Sequence, residues 1–164
     1  MTEVQMQSKL IEFGKQLLHK KSLPEGLPLI SAYSKNIMDA DRCSVFIYDE
    51  INKEFWTTIA DGVDKIIISQ DEGIVGMTMF EGEGIIENDL EMNPNFLYTK
   101  DKETGYKTKN IITAPIFNED KEIIGVLELL NKEGGFTTTD LKYMKFFAQT
   151  LSGFVELVNL YTKS

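Results

Sequence analysis

The sequence predicts an α+β fold, and three observations predict it. Amphipathic helical patterns occupy both ends of the chain. Between them run short apolar segments rich in Ile, Val and Phe. Polar turns such as DEINK and NEDK join several of these segments. Turns that short leave no room for a crossover helix, so the strands pair mostly antiparallel. The chain has 164 residues, enough to bury a real core, and 1–164 reads as a single domain.

The elements follow in order. Residues 3–20 place Val4, Leu10, Ile11, Leu17 and Leu18 on one helical stripe, with 4/11/18 and 10/17 repeating at heptad spacing. That spacing suits a core face or a coiled-coil seam. SLPEGLPL, with Pro24, Gly26 and Pro28, breaks this helix, and LPLISAYSKNIMDA forms a second helix to about Asp39. RCSVFIYDE is a strand, and EFWTTIADG is its hairpin partner. DKIIISQ is a third strand, GIVGMTMFEGEG a short helix after a glycine turn, IIEN a short strand, and NPNFL a turn or single helical turn. The polar segment DKETGYKTKN leads into the strands NIITAPIF and KEIIGVLELLN. TTTDLKYMKFFAQTLSGFVELVNLY is a long amphipathic helix that reaches Tyr161 without a glycine cap. It either frays there or continues into a further domain.

Composition excludes several functions. The net charge is 17 − 26 = −9, against the basic face that nucleic acid or an anionic membrane needs. Cys43 is the single cysteine, so neither an intrachain disulfide nor a cysteine metal cluster can form, and it reads as a small buried hydrophobe. His19 is the single histidine, which argues against a histidine metal site or a Ser-His-Asp triad. MTEVQMQSKL lacks the apolar core of a signal peptide, and no run reaches membrane-spanning length; the expected location is cytoplasmic.

Three constellations stand out. In NKEGGFTTTD, Thr137 and Asp140 have the spacing of a helix N-terminal capping box, and Lys132 can reach across the glycine turn to Asp140. Glu128 interrupts the apolar run EIIGVLELL. A carboxylate there must be paired, solvated or pocket-lining. GIVG opens a helix whose free N–H groups suit a phosphate, although most such glycines are only turns.

Together these residues resemble a GAF domain, specifically those that regulate cyclic-nucleotide phosphodiesterases and some adenylyl cyclases. The resemblance covers about residues 25–160 and is densest in DKETGYKTKNIITAPIFNEDKEIIGVLELLNK, with RCSVFIYD and DEGIVG in agreement. It implies a central antiparallel sheet of about six strands. Terminal helices lie on one face, often at a dimer interface, and short helices and a lid cover a pocket on the other. The N-terminal helix, 1–22, precedes this core. Carried over by position, Ser44 is the hydroxyl that contacts the base, and Asp61 the aspartate whose backbone helps read a purine. Ala60 stands where nucleotide binders often stack a phenylalanine, a loss that Phe96 or Tyr98 would have to offset. Ile74 and Val75 lie near the cyclic phosphate. Asp101, Thr104 and Thr108 are lid positions, and Glu128 belongs to the pocket floor. Asn131, Lys132, Phe136 and Asp140 match the family's structural signature, whose last acid is Leu141 here. Five acids between 81 and 91 either rim the pocket or form a solvated edge.

The expectation is a regulatory sensor rather than an enzyme, with no cofactor or metal and with cyclic AMP or cyclic GMP as ligand. It pairs as a homodimer through its terminal helices and acts on a C-terminal output domain. The alternative is a GAF dimerisation or interaction module with another small ligand or none. Catalysis of the kind found in methionine sulfoxide-reducing GAF proteins needs several cysteines.

Overall fold

The structure is a computed structural model, and it describes residues 2–58, 65–90 and 107–163. The expected turn at 93–97, the first six residues of DKETGYKTKN, and Ala60, Asp61, Phe96, Tyr98, Asp101 and Thr104 lie outside the described residues.

Helix α1 spans Glu3–Leu17 and starts with a capping box between Thr2 and Gln5. Its buried face is Met6, Leu10, Phe13 and Leu17. The expected single stripe divides here, because adjacent residues on a helix point about 100° apart. Leu10 and Leu17 turn inward, while Val4, Ile11 and Leu18 are 72%, 62% and 77% exposed.

Helix α2, Leu23–Met38, begins earlier than the prolines suggest. The Ser22 side chain caps the Glu25 N–H, and Pro24 falls in the first turn, where a missing N–H has no partner to lose. Gly26 lies inside α2 because a Cβ there would come within 2.4 Å of the Phe154 ring. Asp39 ends the helix in the left-handed conformation at φ 56°.

The strands are β1 Arg42–Asp49, β2 Glu54–Thr58, β3 Lys65–Ser69, β4 Ile85–Glu87, β5 Ile111–Phe117 and β6 Ile123–Leu130. They form one antiparallel sheet in the order β3-β2-β1-β6-β5-β4. Helix α3 covers Gly73–Glu81, and α4 covers Thr138–Lys163. The class is therefore α+β, as the turns predicted.

Strand alternation divides the side chains between two layers. Val45, Ile47, Ile112, Ala114, Ile116, Leu127 and Leu129 face α2 and α4, and they join the main core with Met144, Phe147, Leu151 and Val155. Helix α2 rests on β1, α4 on β5 and β6, and α1 lies across α2 and α4. Phe13 packs its ring 5.0 Å from Tyr33 and 4.8 Å from Phe147, which locks this outer helix in place. On the opposite face, α3 sends Val75 and Met79 onto Phe46, Phe55 and Val126, and Ile74 and Met77 onto Ile111, Leu130 and Leu90. Strand β4 is three residues long and pairs only with 111–113 of β5, so Pro115 lies beyond its reach.

Candidate ligand site on the second face of the sheet

The sheet register builds the site's floor. Ser44 of β1 pairs with Glu128 of β6, and Glu128 pairs on its other side with Thr113 of β5. Three polar residues thus form one cross-strand row. Glu128 shares its face with Val126, which packs under α3, so the row belongs to the α3 side of the sheet. Ser44 and Glu128 are half-buried, whereas Thr113 is fully buried.

Thr113 is committed to the fold. Its hydroxyl is 2.5 Å from that of Thr78, and it accepts the Ile85 N–H at 3.3 Å. Thr78 in turn donates to the Ile74 carbonyl at 2.8 Å. One proton arrangement satisfies all three bonds: Ile85 N–H to Thr113, Thr113 to Thr78, Thr78 to the Ile74 carbonyl. The chain ties the start of α3 to β4 and β5 through the sheet's polar row.

The start of α3 depends on its glycines. Gly73 has φ 62°, which a side chain would strain. A Cβ on Gly76 would come within 2.7 Å of the Asp71 backbone, so the turn before the helix closes tightly only over glycine. Glu72 is the N-cap but its side chain caps no N–H, leaving the first-turn donors without a side-chain partner. Ile74 and Val75 are buried by their apolar side chains. Their expected place near a phosphate corresponds to backbone N–H groups at this helix start.

The signature residues form a separate cluster. Asn131, at φ 61°, accepts the Lys109 N–H at 2.7 Å and the Asn110 N–H at 3.3 Å, and donates to the Lys107 carbonyl at 2.8 Å. Asn110 reciprocates: it accepts the Lys132 N–H at 2.8 Å and donates to the Lys132 carbonyl at 3.0 Å. The two asparagines clip residues 107–110 to the end of β6. Thr108, in that clipped segment, is buried.

Lys132 Nζ lies 2.8 Å from both Asp140 oxygens. Asp140 also accepts the Thr137 N–H at 2.8 Å, while Thr137 accepts the Asp140 N–H at 3.2 Å, completing the expected capping box. Phe136 is buried in the main core. Leu141, in place of the signature's last acid, packs beside Gly84, where a Cβ would meet it at 2.7 Å.

Two contributions escaped the sequence reading. Asn88 donates to the Phe136 carbonyl at 3.0 Å and accepts the Phe136 N–H at 2.9 Å, fastening the end of β4 to the loop before α4. The second is Thr57, a buried threonine on β2. The asparagine could have been suspected from its place after IIE; the threonine sits in an ordinary strand pattern.

Cys43 is half-buried, and burial pushes its thiol up to about 12, with the Ser34 hydrogen bond pulling the other way. Among the described residues no group of His, Cys, Asp and Glu could hold a metal ion, and no helix is long and apolar enough to cross a membrane.

An antiparallel sheet with long helices on one face and a short helix over a polar row on the other is the architecture of the GAF fold. The family model for the GAF domain matches residues 25–153, and the chain belongs to that family. It is 32% identical over 127 residues to dual 3',5'-cyclic-AMP and -GMP phosphodiesterase 11A of Takifugu rubripes, covering 68% of this chain and 14% of that protein. It is 30% identical over 156 residues to a probable 3',5'-cyclic phosphodiesterase, pde-5, of Caenorhabditis elegans, covering 85% and 21%. The chain thus spans about a fifth or less of the length of these relatives. A solved GAF domain from a phosphoenolpyruvate-protein phosphotransferase of Coxiella burnetii superposes with TM-score 0.80 over 97% of both chains at 19% identity, which shows a shared fold.

Proposed function

We propose that this GAF domain binds cyclic AMP or cyclic GMP on its α3 face and is the sensing part of a larger cytoplasmic signalling protein. The observation that carries this reading is the pairing of Ser44 with Glu128 on that face. Close by, the first turn of α3 has no side-chain cap. A hydroxyl and a carboxylate suit the base and ribose, and helix-start N–H groups suit the phosphate without a basic residue. Thr108 lies in the clipped segment 107–110 and, with Asp101 and Thr104 at the lid positions that the family resemblance implies, would contact the ligand. Asp61 reads the purine through its backbone. Ligand closure of the lid shifts the terminal helices and an output domain beyond α4.

Thermal melts test this, with cyclic AMP, cyclic GMP and their 5′-monophosphates in large excess. Ligand at about 100 times its dissociation constant adds about 2.7 kcal/mol, a rise of several degrees for a domain of this size. A rise with a cyclic nucleotide and not its monophosphate is expected, and Glu128→Ala or Thr108→Ala removes it. No rise with any of them refutes the reading.

A second reading has its own support: a homodimerising interaction module. Val4, Ile11 and Leu18 form an exposed heptad row along α1, and Leu157, Leu160 and Tyr161 are exposed near the end of α4. Ala60 favours it too, since a lost aromatic stack weakens base binding by about 1–3 kcal/mol. A monomer in light scattering at micromolar concentration refutes pairing through these helices.

A further inference from the structure

Seven polar or charged residues are buried among those described; Ser34, Thr78, Asn110, Thr113 and Asp140 have hydrogen-bond partners, and Thr108 also has an interaction. Thr57 is the exception. It is 2% exposed, and its hydroxyl has no partner among the described residues. A buried hydroxyl that has left water and found no replacement is a group waiting for a partner or a standing destabilisation.

Its direction is set by the sheet. Thr57 pairs with Ile66 of β3, and strand alternation puts it on the face of Phe55, which packs under Val75 and Met79 of α3. One step along from the Ile47–Trp56 pair, the register carries Thr57 alongside Phe46. Ser44 follows two residues along β1 on the same face. The orphan hydroxyl therefore lies diagonally from Ser44, at the distance of diagonal sheet neighbours, about 7–8 Å, on the sheet face that the ligand reading uses. Thr58 offers a built-in comparison. Its hydroxyl is also buried without a partner, but it points to the opposite face, which Trp56 shares with the main core.

We propose that Thr57 is a ligand-contacting residue whose hydroxyl bonds a donor or acceptor on the ligand's ring edge, next to the group that Ser44 meets. This rests on the ligand reading above. A hydroxyl can donate or accept, so Thr57 adds affinity for a hydrogen-bonding heteroaromatic ring without choosing between adenine and guanine.

The test compares Thr57→Val, Thr57→Ser and Thr58→Val with the unaltered chain, each titrated with cyclic AMP and cyclic GMP by calorimetry and each melted without ligand. Valine keeps the shape and removes the orphan hydroxyl, so both valine variants should melt at or above the parent's temperature. That guards against mistaking misfolding for lost binding. The expected result is binding about fivefold to tenfold weaker in Thr57→Val, the loss of one net hydrogen bond, with Thr57→Ser and Thr58→Val near the parent. If the parent binds and Thr57→Val binds equally well, the contact is refuted and the ligand site survives. If the parent binds neither nucleotide, the ligand reading falls and the contact falls with it.

Discussion

Replacing Lys132 by Met should destabilise the domain by about 2 kcal/mol. The Asp140 side chain is 6% exposed and Lys132 is 23% exposed. Removing the cation leaves a buried carboxylate with Thr137 as its remaining donor, through N–H at 2.8 Å and hydroxyl at 3.2 Å. Breaking a fully buried pair costs about 3–5 kcal/mol. Partial exposure on the lysine side lets water reach the vacated place, which brings the figure down. Asp140→Ala should cost more, about 3 kcal/mol, because it loses the ion pair together with a helix cap worth about 1 kcal/mol. Lys132→Met combined with Asp140→Ala leaves no unpaired charge, so its cost should fall short of the summed single costs by about 1–2 kcal/mol. Urea unfolding read by circular dichroism measures all four proteins, and Lys132→Met should also lower Tm by about 4–8 °C. A Lys132→Met loss below about 0.5 kcal/mol would place this pair with ordinary surface pairs, and strict additivity in the double variant would show that the two residues do not act together.

Three further outcomes can be measured. Thr78→Val should cost about 1–3 kcal/mol by leaving the Thr113 O–H without an acceptor, although Thr113 still accepts the Ile85 N–H; chemical denaturation measures it, and a loss below about 0.5 kcal/mol would refute the hydroxyl chain. Asn131→Ala should release residues 107–110 and speed trypsin cleavage after Lys107 and Lys109 under native conditions, and unchanged cleavage would refute the clip. Cys43 should react slowly with a thiol reagent at neutral pH. Because its folded pKa, about 12, lies above the ordinary 9.0, its stabilising contribution is complete below pH 9 and is lost as pH rises toward 12. Cys43→Ala should therefore show a shallower alkaline loss of stability than the parent, and identical pH profiles would contradict the shift.

The strands and the two tight hairpins, β1–β2 and β5–β6, were readable because each reports itself locally. DEINK and NEDK are hairpin turns, and the apolar alternation flanking them fixes which face is inward. Lys132–Asp140 was readable for the same reason, since both ends lie within one short stretch. The α1 stripe misled because heptad spacing is the same for a buried row and an exposed one; only Met6 and Phe13, completing a 6/10/13/17 pattern, distinguish the inner face. The start of α2 misled because Pro24 and Pro28 read as breakers, whereas a first turn has no N–H bond for Pro24 to lose. Ser44 and Glu128 came from family resemblance, and their adjacency needed the register. Thr57 and Asn88 were invisible because their significance depends on strands distant in sequence.

The brevity of β4 has a consequence for how the molecule keeps to itself. Beyond 111–113, the rim of β5 has no strand beside it among the described residues, and an open rim invites a foreign strand. Pro115 occupies that rim while remaining in register with Val126 of β6. Lacking an N–H, it cannot take part in a new ladder. A foreign strand docking along this rim would therefore meet a gap in its ladder at Pro115, which works against open-ended growth into fibrils from this side.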